Sequence, residues 1–284
     1  MKTKQNNKYL QPMLAHKYDE NRVDWSKPVW MQPKLDGIRC ILTKDGAFSR
    51  TGKQFMNVKH LFTPAIKELF NQNPWIHLDG ELYNHDLRDD FEKIVSLARK
   101  QKPTPEDRSE AESLVQFHCY DIVNPTMKFE DRIQFITNNV PRNHCVHHVD
   151  TIVAATESLS KVFHESNLQK GYEGSILRLN DFYQNKRSHS LRKFKDFHDT
   201  EATIVGYEEG KGKREGTLGK FLMQDDDGIQ FGCPPGKGYS YKDLTKILDN
   251  IHEYMGQRAT FTYFERTKAN SYRHPLFKTL RNYE

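Results

Sequence analysis

The residues best suited to chemistry are Lys34-Leu35-Asp36-Gly37-Ile38-Arg39, a lysine closing a strand-like run, then an Asp-Gly pair, then an arginine two residues past the glycine. Asp-Gly favours a tight turn, so the segment reads as a lysine beside a close backbone bend, with the chain returning as a second strand. A free lysine titrates near ~10.4 and is mostly protonated at neutral pH, and lowering that by three units costs about 4 kcal/mol. Nucleophilic use therefore needs desolvation or neighbouring cations, for which Arg39, Arg50, Lys193 and Lys195 are the candidates. The plain alternative is a surface hairpin lysine.

Three further segments bear on that choice. Leu78-Asp79-Gly80-Glu81-Leu82 sets a carboxylate directly after a second Asp-Gly bend, and Glu173-Gly174-Ser175-Ile176-Leu177-Arg178 sets another before a strand. Lys193-Phe194-Lys195 puts two lysines on the same side of a strand, because side chains alternate. Two carboxylates suit a divalent metal and two lysines suit a phosphate. With Lys34 they make up the parts for attack on a phosphorus: nucleophile, metal ligands, and cations facing the developing charge. Residues 183–195 hold five cations and no acid; phosphate contact competes there with a solvated basic loop. No GxxxxGK[ST] occurs, so a nucleotide would be bound without a P-loop. His144, His147 and His148 have no acid, and no cysteine but Cys145, at ligand spacing, so no metal site is read there.

Taken together and in order, these motifs resemble the covalent nucleotidyltransferases, the superfamily of DNA ligases, RNA ligases and mRNA capping enzymes, and within it the small phage and bacterial type of ATP-dependent DNA ligase. The resemblance implies a nucleotidyltransferase domain, α+β with ATP-grasp-like antiparallel sheets and helices, followed by an OB-fold β-barrel domain. It implies that Lys34 becomes adenylated and that Arg39 contacts the ribose. Ser49-Arg50-Thr51-Gly52 resembles the motif whose arginine contacts the nick 5′-phosphate. Glu81 resembles the ribose or metal carboxylate and Glu173 the metal carboxylate, while Lys193 and Lys195 match the phosphate-gripping pair. Phe117-His118-Cys119-Tyr120-Asp121 resembles the segment whose aromatic stacks on the purine, which points to Tyr120, with a core-packed tyrosine as the alternative. Gln32 stands where ligases keep an adenine-contacting residue, and Arg187 where a basic residue meets nucleotide or DNA phosphate. Arg273-His274-Pro275-Leu276-Phe277 with Arg281, and the segment 210–221, resemble parts of the OB domain of that group. The implied cofactors are ATP and Mg²⁺, with Mn²⁺ as a substitute, and the implied partner is nicked duplex DNA, bound by a monomer. An RNA ligase, a capping guanylyltransferase or a non-catalytic nucleic-acid-binding OB protein are the competing readings.

The elements that must position these residues are short strands and a few helices. β-Branched and aromatic runs predict strands at 29–32, 40–43, 116–123, 175–179, 202–207, 220–224 and 258–264, whose spacing favours antiparallel sheets. Thr63 followed by Pro64 reads as a helix start, with Ile66, Leu69 and Phe70 on one face. Apolar stripes at Leu87, Phe91, Ile94, Val95 and Ala98, and at Leu244, Ile247, Leu248, Ile251 and Met255, predict two more. Residues 100–112, highly charged and carrying Pro103 and Pro105, read as a mobile loop. A polar stretch at 193–198 predicts a boundary, giving an adenylation domain over 1–198 and an OB-fold domain over 199–284; the family resemblance implies a hinge near 196–200.

The chain of 284 residues, 36% hydrophobic, is long enough for two cores. No apolar run approaches the ~18 residues of a membrane span, and residues 1–10 carry lysines with no apolar run behind them, so the expected location is the cytoplasm, or the host cytoplasm for a viral chain. Four separated cysteines fit reduced thiols. The net charge is +5; from residue 199 onward 13 cations balance 13 acids, so the excess lies in the first part of the chain.

Overall fold

The computed structural model describes residues 11–195, 198–236, 238–267 and 269–281. The segment 1–10, read above as free of a leader, and Asp196, at the start of the expected hinge, lie outside the described residues. The chain divides into two compact units, Met1–Lys195 and Asp196–Glu284.

The first unit runs β1 (Leu14–Lys17), β2 (Val29–Lys34), β3 (Ile38–Thr43), β4 (Gly46–Ser49), α1 (Pro64–Gln72), β5 (Leu78–Tyr83), α2 (Phe91–Arg99), α3 (Pro105–Leu114), β6 (Gln116–Ile122), α4 (Phe129–Asn139), β7 (Val146–His148), β8 (Ile152–Ala154), α5 (Glu157–Gln169), β9 (Gly174–Arg178) and β10 (Arg187–Phe194). Two five-stranded sheets result, ordered β1-β10-β9-β2-β8 and β4-β3-β5-β6-β7. The pairing is antiparallel as the spacing predicts, except that β1 runs parallel to β10 and β7 parallel to β6. The basic stretch near 190 is therefore strand, and not loop, over most of its length.

Of the four Asp-Gly pairs in the chain, the two beside Lys34 and Glu81 do not make the turns expected of them, whereas Asp45-Gly46 does turn β3 into β4. β2 and β3 belong to different sheets, so the segment after Lys34 is a crossover between sheets and not a hairpin. Gly37 is needed there for space: a Cβ on it would lie 2.3 Å from the carbonyl oxygen of Leu82. Gly80 sits inside β5, at a register shift against β6, where a Cβ would come within 2.5 Å of the His118 carbonyl and 2.6 Å of the Phe117 ring. Both glycines let backbones approach, a role that composition alone does not separate from turn formation.

The helices follow from caps and apolar faces. The Thr63 side chain accepts from the Ile66 amide, and α1 buries Ile66, Leu69 and Phe70. α2 buries Ile94, Leu97 and Ala98, with Leu87 in the 3-10 turn before it. Residues 100–112, expected as a mobile loop, are largely α3: Pro105 occupies its first turn, and Thr104 and Asp107 form a reciprocal capping box. These faces close one core against the second sheet, around Leu42, Leu78, Leu82, Phe117 and Ile122. Each such side chain contributes about 1.5–3 kcal/mol by leaving water.

Buried polar ties join the two sheets. Asp121 on β6 accepts from Arg178 on β9 (Nη1 to Oδ2, 2.6 Å) and from Arg132 on α4 (Nε to Oδ1, 2.6 Å). Gln32 on β2 donates to the Tyr120 carbonyl on β6 at 3.0 Å. All four cysteines are buried and free.

The second unit runs β11 (His198–Glu209), β12 (Leu218–Gln224), β13 (Gln230–Cys233), α6 (Tyr241–Asp249), β14 (Arg258–Tyr263), β15 (Glu265–Arg266), β16 (Tyr272–Arg273) and β17 (Leu276–Leu280). Its main sheet, ordered β13-β12-β11-β14-β17, curls until its edges meet: Phe277 donates to the Pro234 carbonyl and accepts from the Gly236 amide, each at 2.9 Å. Closure is that one local bridge, so the barrel expected here is an open one. α6, capped by Ser240 and Asp243, buries Leu244 and Ile247. It ends at Asp249, so Met255, read as the last residue of its stripe, lies outside it and is 37% exposed. Among the described residues no helix is long and apolar enough to cross a membrane.

Candidate active site

A cavity of about 530 Å³ opens in the first unit, within the size range of small-molecule sites. Of the residues singled out in the sequence, Gln32, Lys34, Arg39, Arg50, Glu81, Tyr120, Arg187 and Lys193 all line it. They come from β2, β3, the turn after β4, β5, β6 and β10. The crossover between the two sheets thus brings Lys34 from one sheet and Arg39 from the other to the same cavity. Seven cationic side chains line the cavity against a single carboxylate, Glu81.

Lys34 Nζ donates to Glu173 Oε2, and Lys195 Nζ donates to the other oxygen of the same carboxylate. Glu173 is only 8% exposed, and its backbone lies beside Lys34 because β9 pairs with β2 there. Burial raises its carboxyl, but the charges of Lys34 and Lys195 and their hydrogen bonds outweigh that and hold it below the usual range. Lys195 falls one residue past β10 and its ammonium is bonded to Glu173, whereas Lys193 is exposed and lines the cavity.

Glu81 is partly buried in the opposite sheet and accepts a hydrogen bond from the Tyr120 hydroxyl at 3.3 Å. Desolvation pushes its carboxyl up to about 8, although Lys34 and Arg39 pull the other way. Tyr120 is half-buried, with the guanidinium of Arg178 5.4 Å and that of Arg39 5.7 Å from its ring centroid. Its phenol is held well above the usual range by burial.

Arg39 is anchored by protein and still lines the cavity. Its Nε and Nη2 donate to Asp79 at 2.9 and 2.6 Å, and its Nη1 donates to the Met13 carbonyl. Asp79 also accepts from the Tyr183 hydroxyl at 2.7 Å. Arg50 is exposed in the turn after β4, and Arg187 is exposed with one N–H on the Ala15 carbonyl. The histidines around 144–148 make no metal group, nor does any cluster of three or more His, Cys, Asp or Glu among the described residues. His147 instead stacks on His118, whose imidazole is pushed down to about 3 by burial and by His147 and His85.

Sequence reasoning gave no role to Arg178, Arg99, Asp79, Asp121 or Thr151. Arg178 and Arg99 line the cavity, and Asp79 and Asp121 hold the arginines that do. Arg178 carried one signal: it lies two residues after Ile176 on one strand, so both face the same side, and both line the cavity.

Residues 12–195 match the family model described as ATP dependent DNA ligase domain, and residues 209–281 match the DNA ligase OB-like domain. A DNA ligase of African swine fever virus (isolate Tick/South Africa/Pretoriuskop Pr4/1996) is 28% identical over 257 residues, covering 83% of this chain and 59% of its own length. The DNA ligase of Enterobacteria phage T4 is 24% identical over 303 residues, covering 86% and 62%. This chain therefore spans about three fifths of the curated relatives it matches. Among solved structures, one described as a Lig E DNA ligase that binds DNA with a minimal scaffold superposes with a TM-score of 0.77 at 25% identity, covering 95% of this chain and 98% of its own. With its first unit matched almost end to end, the chain belongs to the ATP dependent DNA ligase domain family.

Proposed function

We propose that this chain joins 5′-phosphate and 3′-hydroxyl ends at nicks in duplex DNA, using ATP and a lysine-AMP intermediate. The observation that carries the reading is the convergence of Lys34, held by Glu173, with Gln32 and Tyr120 on one cation-rich cavity. Lys34, once its amine has lost its proton, attacks the α-phosphorus of ATP; the N–P bond forms as the P–O bond to pyrophosphate breaks. A 5′-phosphate oxygen of the DNA then attacks the same phosphorus and frees Lys34. Finally the 3′-hydroxyl attacks the 5′-phosphorus, closing the strand and releasing AMP.

The residues share this work by position. Glu173 orients the Lys34 amine through the hydrogen bond it accepts. Lys193 and Lys195 meet phosphate charge, Arg39 the ribose, Tyr120 the purine face, and Arg50 and Arg187 the DNA phosphates. Glu173, and Glu81 on giving up its proton, suit a hard cation, and among the described residues no group of three or more His, Cys, Asp or Glu surrounds them, so substrate oxygens would complete the site, as is common for Mg²⁺. Mg²⁺, or Mn²⁺ in its place, would neutralise triphosphate charge there. Residues 1–198 act as the adenylation domain and 199–284 as the OB domain that cradles the duplex, in a monomer.

The test is incubation with ATP and Mg²⁺ followed by mass measurement and by nick sealing. The wild type gains one AMP and seals, whereas Lys34→Ala does neither. A GTP-only adduct would move the assignment to capping, and sealing by Lys34→Ala would end the mechanism.

A further inference from the structure

We infer that Thr151 and Arg178 set the base preference of the cavity, by fixing the Gln32 amide so that it offers a bound purine an acceptor and no donor. This rests on the nucleotide reading of the cavity just given. Gln32 is 1% exposed and lines the cavity. A primary amide has two hydrogens to donate and two lone pairs to accept with. Both hydrogens are used: Nε2 donates to the Tyr120 carbonyl at 3.0 Å and to Thr151 Oγ1 at 2.9 Å. Oε1 accepts from Arg178 Nε at 2.7 Å.

Chemistry forbids the reverse orientation. A guanidinium has no lone pair and a peptide carbonyl has no hydrogen, so a half-turn of the amide would set N–H against N–H and oxygen against oxygen. Thr151 adds to this, because its hydroxyl hydrogen goes to the Val149 carbonyl at 3.0 Å and only its oxygen is left for Gln32. Arg178 is itself held, with Nη1 2.6 Å from Asp121, a carboxylate fully buried between the sheets. One lone pair on Oε1 is the capacity that remains. Adenine presents an amino donor at C6 and guanine an oxo acceptor. The first satisfies that lone pair, whereas the second sets two acceptors face to face and leaves both unpaired. Thr151 and Arg178 are thus positioning residues for base selection, acting through Gln32.

Binding is measured by calorimetry with ATP, GTP and ITP in a Lys34→Ala background, where no adduct forms; ITP carries the C6 change without the added amino group of GTP. The Lys34-intact proteins are scored in parallel for AMP and GMP adducts by mass. In the reference protein ATP binds more tightly than ITP and GTP. Thr151→Val removes one of the three hydrogen bonds that hold the amide in its orientation and leaves that N–H without an acceptor, so the amide loosens and the ATP-to-ITP affinity ratio falls by up to about tenfold, the range of one neutral hydrogen bond gained or lost, with a melting temperature lowered by no more than one unmet buried donor costs. Arg178→Met frees the amide to turn and lowers the ratio in the same direction. Because that change also strips Asp121 of one of its two arginines, Thr151→Val decides the matter if Arg178→Met fails to fold. Gln32→Glu, an acceptor only, keeps the preference for ATP. An unchanged ratio in Thr151→Val, or loss of the preference in Gln32→Glu, overturns the inference while leaving the ligase reading intact. A reference protein that binds none of the three, with no adduct in the Lys34-intact chain, overturns both.

Discussion

Replacing Glu81 with glutamine probes a strongly displaced ionisation in the cavity. Burial pushes this carboxyl up to about 8, from an ordinary value of 4.5, so between those limits the folded chain holds a proton that the unfolded chain has lost. Stability falls with rising pH wherever the folded state binds more protons. The contribution of Glu81 is therefore fully present below about 4.5, declines through the window, and is gone above about 8. Between about pH 6 and pH 9 the loss is about 2 to 3 kcal/mol, at 1.36 kcal/mol per pKa unit. Glu81→Gln mimics the protonated form and removes this slope. All three tryptophans, Trp25, Trp30 and Trp75, lie in the first unit, so their fluorescence during urea unfolding follows that unit alone. The wild type should lose about 2 to 3 kcal/mol more than Glu81→Gln across that pH range. Parallel pH curves for the two proteins would refute the claim that the folded chain keeps this carboxyl protonated at neutral pH.

Glu173→Gln keeps the shape but removes the charge shared by Lys34 and Lys195; single-turnover adenylation should fall by about a hundredfold or more, and a normal rate would show that Glu173 does not orient the nucleophile. Gly37→Ala forces a methyl to 2.3 Å from the Leu82 carbonyl and should cost about 1–3 kcal/mol in the tryptophan-monitored transition, so a wild-type transition would disprove the close-approach argument. Tyr120→Phe loses only the 3.3 Å bond to Glu81 and should bind ATP within about fivefold of wild type, whereas Tyr120→Ala should lose tenfold or more, because stacking contributes about 1–3 kcal/mol per base; equal losses measured by calorimetry would remove the stacking role. Arg50→Ala should form the AMP adduct normally, bind nicked duplex more weakly, and lower the log-log salt slope of that binding by about 1; an unchanged slope would take Arg50 off the DNA.

The residues that the sequence makes conspicuous are those set in short local patterns. Glu81 and Glu173 each stand beside, and Lys34 three residues before, a glycine that a close approach demands, so the backbone constraint and the chemistry appear together in a few letters. What holds them in place has no such signature. Gln32 and Arg178 are 146 residues apart, and Gln32 and Thr151 are 119 apart, distances over which periodicity and turn chemistry carry nothing. The same limit explains the hairpin reading of Lys34 to Arg39: Asp-Gly encodes a change of direction but not which sheet receives the next strand. Composition misled at residues 100–112, where charge and proline imply mobility while Thr104-Pro105 with Asp107 is a helix start of ordinary kind. Fold class was more accessible, because the many short β-rich runs and the glycine-rich second unit suit few architectures, and the matches to the ligase and OB-like domains agree with it.

The cavity's cations fall into two groups with different physical costs. Lys34, Arg39 and Arg178 each have a buried carboxylate behind them, in Glu173, Asp79 and Asp121. Taking both charges of such a pair out of water is expensive, and the pair seldom adds net stability over apolar packing. It does fix the position of a charge, and fixed charges need not reorganise when a transition state forms, which is the form of electrostatic stabilisation that accelerates reactions most. Arg50, Arg187 and Lys193 are exposed, where screening by water and salt makes each weak singly and effective mainly for attraction over distance. Under the proposed function, precision is concentrated where one phosphorus would be attacked from one direction, and adaptable charge where a long polyanion would be met. The division follows from burial alone, and under the proposed function it would give the costly ion pairs to the nucleotide and leave Arg50 and Arg187, both screened, to the duplex.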